Sequence, residues 1–188
     1  LGLPAYTMRF RFYQSDFDPT TVSHPSWPSA STWTKVSSSP NVWDFKYENS
    51  DWRVTDSIFF SLGSSKFSVL GANTTGVTNM GHLFRYAPLV TIEHAFDTSA
   101  VTNTNYMFSS MPYCSSLPMF DFSHSTEITG MFHMSSGFEY IPDYDFSSAR
   151  GMITYLCEYC THLKRVPDFT FTVNNITLAD ACFHLCGA

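Results

Sequence analysis

The stretch PDYDF at residues 142–146 is one copy of a motif that recurs through most of the chain. Close copies are PMFDF at residues 118–122, which lies 24 residues earlier, and PDFTF at residues 167–171, which lies 25 residues later. A weaker copy, HAFDT, occupies residues 94–98. Repetition at a fixed period of about 20 to 50 residues is typical of repeat proteins, in which neighbouring units share one hydrophobic core. The motif therefore decides the expected fold.

A second landmark keeps the same period. Pairs of mostly apolar residues recur at spacings of 24, 24, 24 and 25, at residues 59–60, 83–84, 107–108, 131–132 and 156–157. In the copy at 101–111 the apolar residues follow the spacing of one helical face, which predicts a short helix or helical turn. Residues 117–122 have the character of a strand. We expect an α/β repeat solenoid, leucine-rich-repeat-like, with coils of about 24 residues that each hold one short parallel strand and one short helix or turn.

Residues 1–52 lack the repeat. The alternation of residues 6–13 predicts a half-buried strand, and residues 32–36 and 42–47 predict two more. A Pro- and Ser-rich segment at 19–28 predicts a loop. Since the end of a repeat stack exposes core unless something covers it, we interpret 1–52 as an N-terminal β cap. Residues 53–188 then form the solenoid of about five coils, the last one incomplete.

All four tryptophans lie in the predicted cap or at its end, at Trp27, Trp33, Trp43 and Trp52. The simpler interpretation is that they form the core of the cap. The alternative is a carbohydrate-binding module, in which Trp27 and Trp33 offer ring faces on which sugars stack.

Composition limits the partners. Only 14% of the residues are charged, the net charge is −6 and no basic run is present, which argues against nucleic acid. The apolar clusters are much shorter than the roughly 20 residues that span a bilayer, so no membrane insertion is expected. The chain begins LGLP without an initiator Met or a basic leader, which predicts a mature product or an excised fragment. A surface poor in charge is more common in extracellular and virion proteins.

The sequence VTNM at residues 77–80 with Leu83 and Phe84, followed by FDTSAVTN at 96–103, resembles the BspA-like leucine-rich repeat family of the DUF285 type. The resemblance covers about residues 53–186. This family is found on surface proteins of gut and oral bacteria, mycoplasmas and their phages. The resemblance implies adhesion or host recognition and no catalysis.

Stacking would make residues one period apart into neighbours. The resulting polar column contains Asn73, Asp97, Asp121 and Asp145. Because adjacent carboxylates repel, each needs a compensating interaction. One candidate is an Asx turn, in which the side chain accepts a hydrogen bond from a turn amide. The other is bound calcium, which prefers several oxygen ligands.

The cysteines gather near the C-terminus, apart from Cys114. The spacing of Cys157, Cys160, Cys182 and Cys186 is close to that of a zinc ribbon but outside it. The repeat makes Cys157 a neighbour of Cys182, and Cys160 a neighbour of Cys186. Buried thiols, one or two disulfides, and a metal site remain open, the last of these as a metal-dependent enzyme. We predict no cofactor.

Binding candidates come from columns that vary while the repeat around them holds. One column is His82, Tyr106, Gly130 and Tyr155, and another is Tyr86, Ser110, Met134 and Tyr159. Exposed tyrosines on a rigid scaffold supply contact area at low entropic cost. The alternative is that they only cover the edge of the core. The predicted ligand-binding residues are His82, Tyr86, Tyr106, Tyr155 and Tyr159.

Catalytic signatures such as G-x-S-x-G, H-E-x-x-H and the P-loop are absent from the sequence. The favoured function is therefore a non-enzymatic recognition or adhesion module on a cell surface or phage particle. Its expected partner is a protein or glycan on a host or neighbouring cell. The main alternative is a structural virion or envelope component that assembles with other virion or surface proteins.

Overall fold

A five-stranded mixed sheet joins the N-terminal segment to the repeat region. The computed structural model describes residues 2–22, 30–52, 59, 62 and 65–187. The sheet order is β2-β3-β1-β4-β5, and all its neighbours are antiparallel except β4 and β5, which are parallel. The strands are β1 (Thr7–Phe12), β2 (Thr32–Ser38), β3 (Asn41–Lys46), β4 (Phe67–Asn73) and β5 (Leu89–Ile92).

The three N-terminal strands confirm the strand predictions at 6–13, 32–36 and 42–47. On β1 the apolar side chains Met8, Phe10 and Phe12 are buried, as the period-2 pattern requires. Arg9 on β1 lies opposite Asp44 on β3, and its Nε and Nη2 donate to the two carboxylate oxygens at 2.7 and 2.9 Å. Most of the predicted loop at 19–28, residues 23–28, lies outside the described residues.

Two small parallel sheets follow. β6 (Asp145–Phe146) pairs with β8 (Thr170–Phe171), and β7 (Gly151–Thr154) pairs with β9 (Ile176–Asp180). Two short 3₁₀ helices cover Pro19–Thr21 and Val173–Asn175. Within the described ranges, no helix has the length and apolar character needed to cross a membrane.

The predicted α/β repeat solenoid is wrong. The described residues form no α-helix, and their strands are confined to small mixed sheets. The predicted strand at 117–122 is absent, and the matching positions of later copies give only the two-residue strands β6 and β8. In the predicted helix at 101–111, Tyr106 and Ser110 have φ of 54° and 58°. Left-handed residues cannot continue a right-handed helix, so the chain makes consecutive turns instead.

These turns recur, and we call residues 81–86, 105–110, 129–134, 155–159 and 181–185 the turn runs. Their amides alternate between two kinds of acceptor. In run 105–110 every second amide closes a local turn, from Met107 to Thr104 and from Ser109 to Tyr106. The others donate to the next run at 2.8–2.9 Å, from Tyr106 to Thr129, Phe108 to Met131 and Ser110 to His133. The backbone is thus satisfied half within a repeat and half between repeats.

The repeated phenylalanines become stacked rings beneath the turn runs. Phe84, Phe108 and Phe132 are fully buried, with successive ring centroids 5.7 and 6.2 Å apart and nearly parallel planes. A second stack contains Phe122 and Phe146, with centroids 6.0 Å apart. Burying one such side chain contributes about 1.5–3 kcal/mol, so the stacks hold the turn runs in register.

Candidate recognition surface

The five predicted ligand-binding residues share one backbone conformation. His82, Tyr86, Tyr106, Tyr155 and Tyr159 all have φ between 54° and 62°. Each of their amides donates to the carbonyl of the next turn run at 2.8–3.0 Å. The backbone at these positions is therefore fixed from both sides, while three of the side chains, on Tyr86, Tyr155 and Tyr159, remain 39–46% exposed.

Ring contacts connect these residues across successive turn runs. The His82 and Tyr106 rings stack with centroids 5.2 Å apart, and Tyr106 meets the edge of His133 at 6.1 Å. His133 in turn contacts Tyr155 at 5.8 Å and Tyr159 at 6.5 Å. The chain of contacts ends at His184, 5.9 Å from Tyr159. We call the whole set the Tyr/His surface: His82, Arg85, Tyr86, Tyr106, His133, Tyr155, Glu158, Tyr159 and His184.

Gly130 makes room for Tyr106. It lies in the same column as His82, Tyr106 and Tyr155, with φ of 57°. A Cβ on Gly130 would collide with the Tyr106 ring. The column therefore alternates ring and gap at this point, and Tyr106 lies over the missing side chain.

Glu158 links two histidines of neighbouring runs. Its carboxylate accepts from His133 Nε2 at 3.2 Å and from His184 Nδ1 at 3.1 Å, and its side chain is only 11% exposed. Burial lowers the pKa of His133 below its ordinary value, and the nearby Glu158 carboxylate opposes that change. The carboxylate thus fixes the orientation of both imidazoles, each of which contacts Tyr159.

Arg85 lies among aromatic rings. Its guanidinium carbon is 4.8 Å from the Tyr86 ring centroid and 5.0 Å from that of Tyr106, within cation–π range. Nη1 donates to His82 Nδ1 and Nη2 donates to the Tyr86 hydroxyl, both at 3.2 Å. Among the described residues no carboxylate forms an ion pair with Arg85. The guanidinium therefore braces the two tyrosines.

Sequence reasoning missed Arg85, His133, Glu158 and His184. Each follows a left-handed residue of its run by three positions, so these residues form a third column, in which Ser109 is the buried member. The histidines had been interpreted as scattered turn or surface residues. The signal that could have revealed them is the variation of this third column from Arg to Ser, His, Glu and His.

The predicted polar column consists of Asx turns. Asp97, Asp121 and Asp145 each accept the amide two residues ahead at 2.8–3.0 Å, and Asn73 does so at 3.3 Å. Hydrogen bonds from Ser123 lower the pKa of Asp121. Asn73 and Asp97 also line an open cleft of about 410 Å³ beside the N-terminal residues. The column lies apart from the residues of the Tyr/His surface.

The tryptophans lie in or against the core where they are described. Trp43 and Trp52 are buried. Trp33 is half-buried, with ring centroids 5.2 Å from Phe10, 6.0 Å from Phe12 and 5.0 Å from Phe45. Trp27 lies outside the described residues. Trp33 therefore packs on the sheet and is not a free platform for a sugar ring.

All five cysteines are free thiols. The sulfurs of Cys160 and Cys186 donate to the carbonyls of Phe132 and Cys157 at 3.0 and 2.9 Å. Burial raises the pKa of Cys114 to about 12 and that of Cys186 to about 11. No group of three His, Cys, Asp or Glu side chains in the described part of the chain is placed to hold a metal ion. The predicted neighbours Cys157 and Cys182 do meet, through a backbone hydrogen bond of 2.7 Å.

The turn runs and their conserved spacing extend over the part of the chain for which a family is known. A family model described as "Mycoplasma protein of unknown function, DUF285" matches residues 53–168. The chain belongs to the DUF285 family. The resemblance inferred from VTNM and FDTSAVTN is thereby confirmed. No curated protein and no solved structure gave a match. The DUF285 match covers most of the Tyr/His surface, from His82 to Tyr159, and leaves His184 beyond its end.

Proposed function

We propose that this DUF285 protein is a non-enzymatic recognition module that binds a protein or glycan through the Tyr/His surface. In this proposal it is displayed on a cell surface or a phage particle, and its ligand belongs to a host or neighbouring cell. The observation that carries the proposal is the separation between a fixed backbone and variable exposed side chains in the turn runs.

The backbone supports this role because it is rigid without using the side chains. Tyr86, Tyr155 and Tyr159 are held in place by hydrogen bonds between runs, whichever side chain they carry. A ligand that contacts them would then find preorganised rings, which lowers the entropic cost of binding.

The chemistry of the side chains also supports recognition. Tyrosine combines a large apolar face with a hydroxyl and loses few rotamers on binding. Histidine and arginine add hydrogen-bond donors among the rings. Because Tyr106 is already stacked on His82 and braced by Arg85, the more exposed Tyr86, Tyr155 and Tyr159 are the proposed contact residues.

The test is a binding screen with matched variants. The wild-type protein is applied to a glycan array and to immobilised mucin, and each hit is measured again with the Tyr86→Asn and Tyr155→Asn variants. Asparagine tolerates a positive φ better than most residues, so these changes remove a ring without adding backbone strain. Ser110→Asn is the control, since it has the same conformation and loses no ring.

We expect a loss of about tenfold or more in affinity for each tyrosine variant, equivalent to about 1.4 kcal/mol. Ser110→Asn should bind as the wild type does. Absence of any ligand in the screen, or binding that both tyrosine variants retain in full, would contradict the proposal.

A further inference from the structure

The last turn run leaves a row of backbone donors exposed. In the preceding run, the amides of Tyr155, Cys157 and Tyr159 donate to the carbonyls of Asp180, Cys182 and His184 at 2.7–3.0 Å. The equivalent amides of run 181–185 belong to Ala181, Phe183 and Leu185. Across the described residues none of these three amides has a hydrogen-bond acceptor.

This last run keeps the geometry of the runs before it. Ala181 and Leu185 have φ of 50° and 54°, as the left-handed residues of earlier runs do. His184 closes the same local turn on Ala181. The three free amides therefore have the arrangement that the earlier runs use to bind a neighbouring segment.

An apolar groove lies beside this row of donors. Its volume is about 290 Å³, with Ile153 and Leu156 among its lining together with Phe171, Val173, Ala179 and Phe183. Phe132, at the position equivalent to Phe183 two runs earlier, is fully buried, whereas Phe183 is 36% exposed and Val173 is 79% exposed. The groove is the end of the hydrophobic core, open to solvent.

The edge of β9 completes the feature. β9 pairs only with β7 in its two-stranded sheet, so its other edge is unpaired among the described residues. Successive side chains of a strand point to opposite faces. Ala179 lines the groove, while the adjacent Leu178 is exposed outside it.

We propose that this end of the molecule binds an extended apolar segment of a partner polypeptide by strand addition. Carbonyls at alternate residues of the segment would accept from Ala181, Phe183 and Leu185, and its apolar side chains would fill the groove. Backbone hydrogen bonds supply affinity and side-chain pockets supply specificity in this mode of recognition. The proposal does not depend on the Tyr/His surface.

A partner segment suits this face better than a second copy of the chain. A second copy placed end to end would present the same three amides, so donors would face donors. Charge also favours an uncharged segment, because residues 169–187 carry only Asp180 and His184 as titratable groups other than cysteine.

The probe is a fluorescein-labelled peptide with the sequence of residues 176–187, with both cysteines replaced by alanine. In the intact protein this segment supplies the carbonyls for the donor row of run 155–159. Fluorescence anisotropy measures its binding to the full chain and to three variants. Ala179→Glu and Val173→Glu place a carboxylate in the groove, and Leu178→Glu is the matched control on the other face of β9.

We expect saturable binding to the wild type, at least a tenfold weaker Kd for both groove variants, and a change of less than about twofold for Leu178→Glu. Thermal unfolding checks that each variant is folded. Val173 is largely exposed, so its variant remains a fair test if Ala179→Glu fails to fold.

Three results would overturn the proposal: no binding to the wild type up to about 1 mM peptide, equal binding to the wild type and the groove variants, or equal binding of a scrambled peptide. Sedimentation provides a further one. If the wild type is a dimer and Val173→Glu is a monomer, then the groove is occupied by a second copy instead.

Discussion

The Tyr106 ring lies in the space that a Cβ on Gly130 would fill. This relationship couples neighbouring repeats, because Tyr106 belongs to one turn run and Gly130 to the next. It also fixes the Tyr106 ring that stacks on His82 and is braced by Arg85. A glycine in the middle of the Tyr/His surface is thus part of its packing.

Gly130→Ala should destabilise the protein more than Gly151→Ala. Both glycines have positive φ, 57° and 73°, so both substitutions incur backbone strain of about 1–2 kcal/mol. Only the first creates a clash, since nothing lies within 4 Å of a Cβ on Gly151. Overpacking costs a further 1–3 kcal/mol or so. Urea unfolding measures the difference, and equal losses would mean that Tyr106 moves aside freely.

The His133→Gln variant should depend less on pH than the wild type. Burial lowers the pKa of His133 from 6.5, so the neutral imidazole is favoured in the folded state. The stability that this contributes is present above about pH 6.5 and is lost as the pH falls through the lowered pKa.

Thermal unfolding at pH 7.5 and pH 5 tests this sign. The fall in Tm should be smaller by about 1–2 °C in His133→Gln, a modest effect because the site is partly solvated. His124→Gln, which removes an exposed imidazole, serves as the control. A larger fall in His133→Gln would show that its pairing with Glu158 dominates instead.

Met134→Gly should leave stability unchanged or raise it slightly. Met134 is 52% exposed with φ of 56°, a conformation that costs an L-residue about 1–2 kcal/mol and glycine nothing. The added freedom of glycine in the unfolded chain offsets about 0.5–1 kcal/mol of this gain. Met119→Gly, at an exposed site without positive φ, should lose about 0.5–1 kcal/mol. Urea unfolding that ranks the two variants in the opposite order would contradict the left-handed assignment.

Thiol labelling should distinguish two groups of cysteines. Cys114, Cys157 and Cys160 are buried, whereas Cys182 and Cys186 are half-buried. Burial raises the pKa of every one of these thiols for which a change is resolved, so the reactive thiolate is scarce at pH 8. With iodoacetamide, mass spectrometry should show slow labelling of at most two sites, with the rest reacting only after unfolding. Rapid labelling of Cys114 would be inconsistent with its burial.

The sequence predicts the N-terminal strands because their alternation has a direct physical cause. Met8, Phe10 and Phe12 must face the core together, and only an extended chain achieves this. The 24-residue period is also realised in space, since Asn79 pairs with Asn103 and Asn103 with Glu127 as isolated parallel bridges. The columns inferred from that period therefore identified side chains that do share one surface.

The helix prediction failed because apolar spacing does not report the sign of φ. Val101, Met107 and Phe108 are buried as a helical face would be, yet left-handed residues at 106 and 110 divide the segment into turns. Most left-handed positions are occupied by Tyr, His, Ser, Met, Ala or Leu rather than glycine. Local propensity carries no warning of this, since hydrogen bonds between repeats impose the conformation.

The left-handed positions also limit how this surface can diversify. Because the amides hold the framework, evolution or a combinatorial library can exchange the side chains at 82, 86, 106, 155 and 159 while keeping the scaffold. The alphabet at these sites is restricted, since β-branched residues such as Val, Ile and Thr are poorly tolerated at positive φ. A repertoire built on tyrosine, histidine, asparagine and glycine would be the natural one for engineering new specificities.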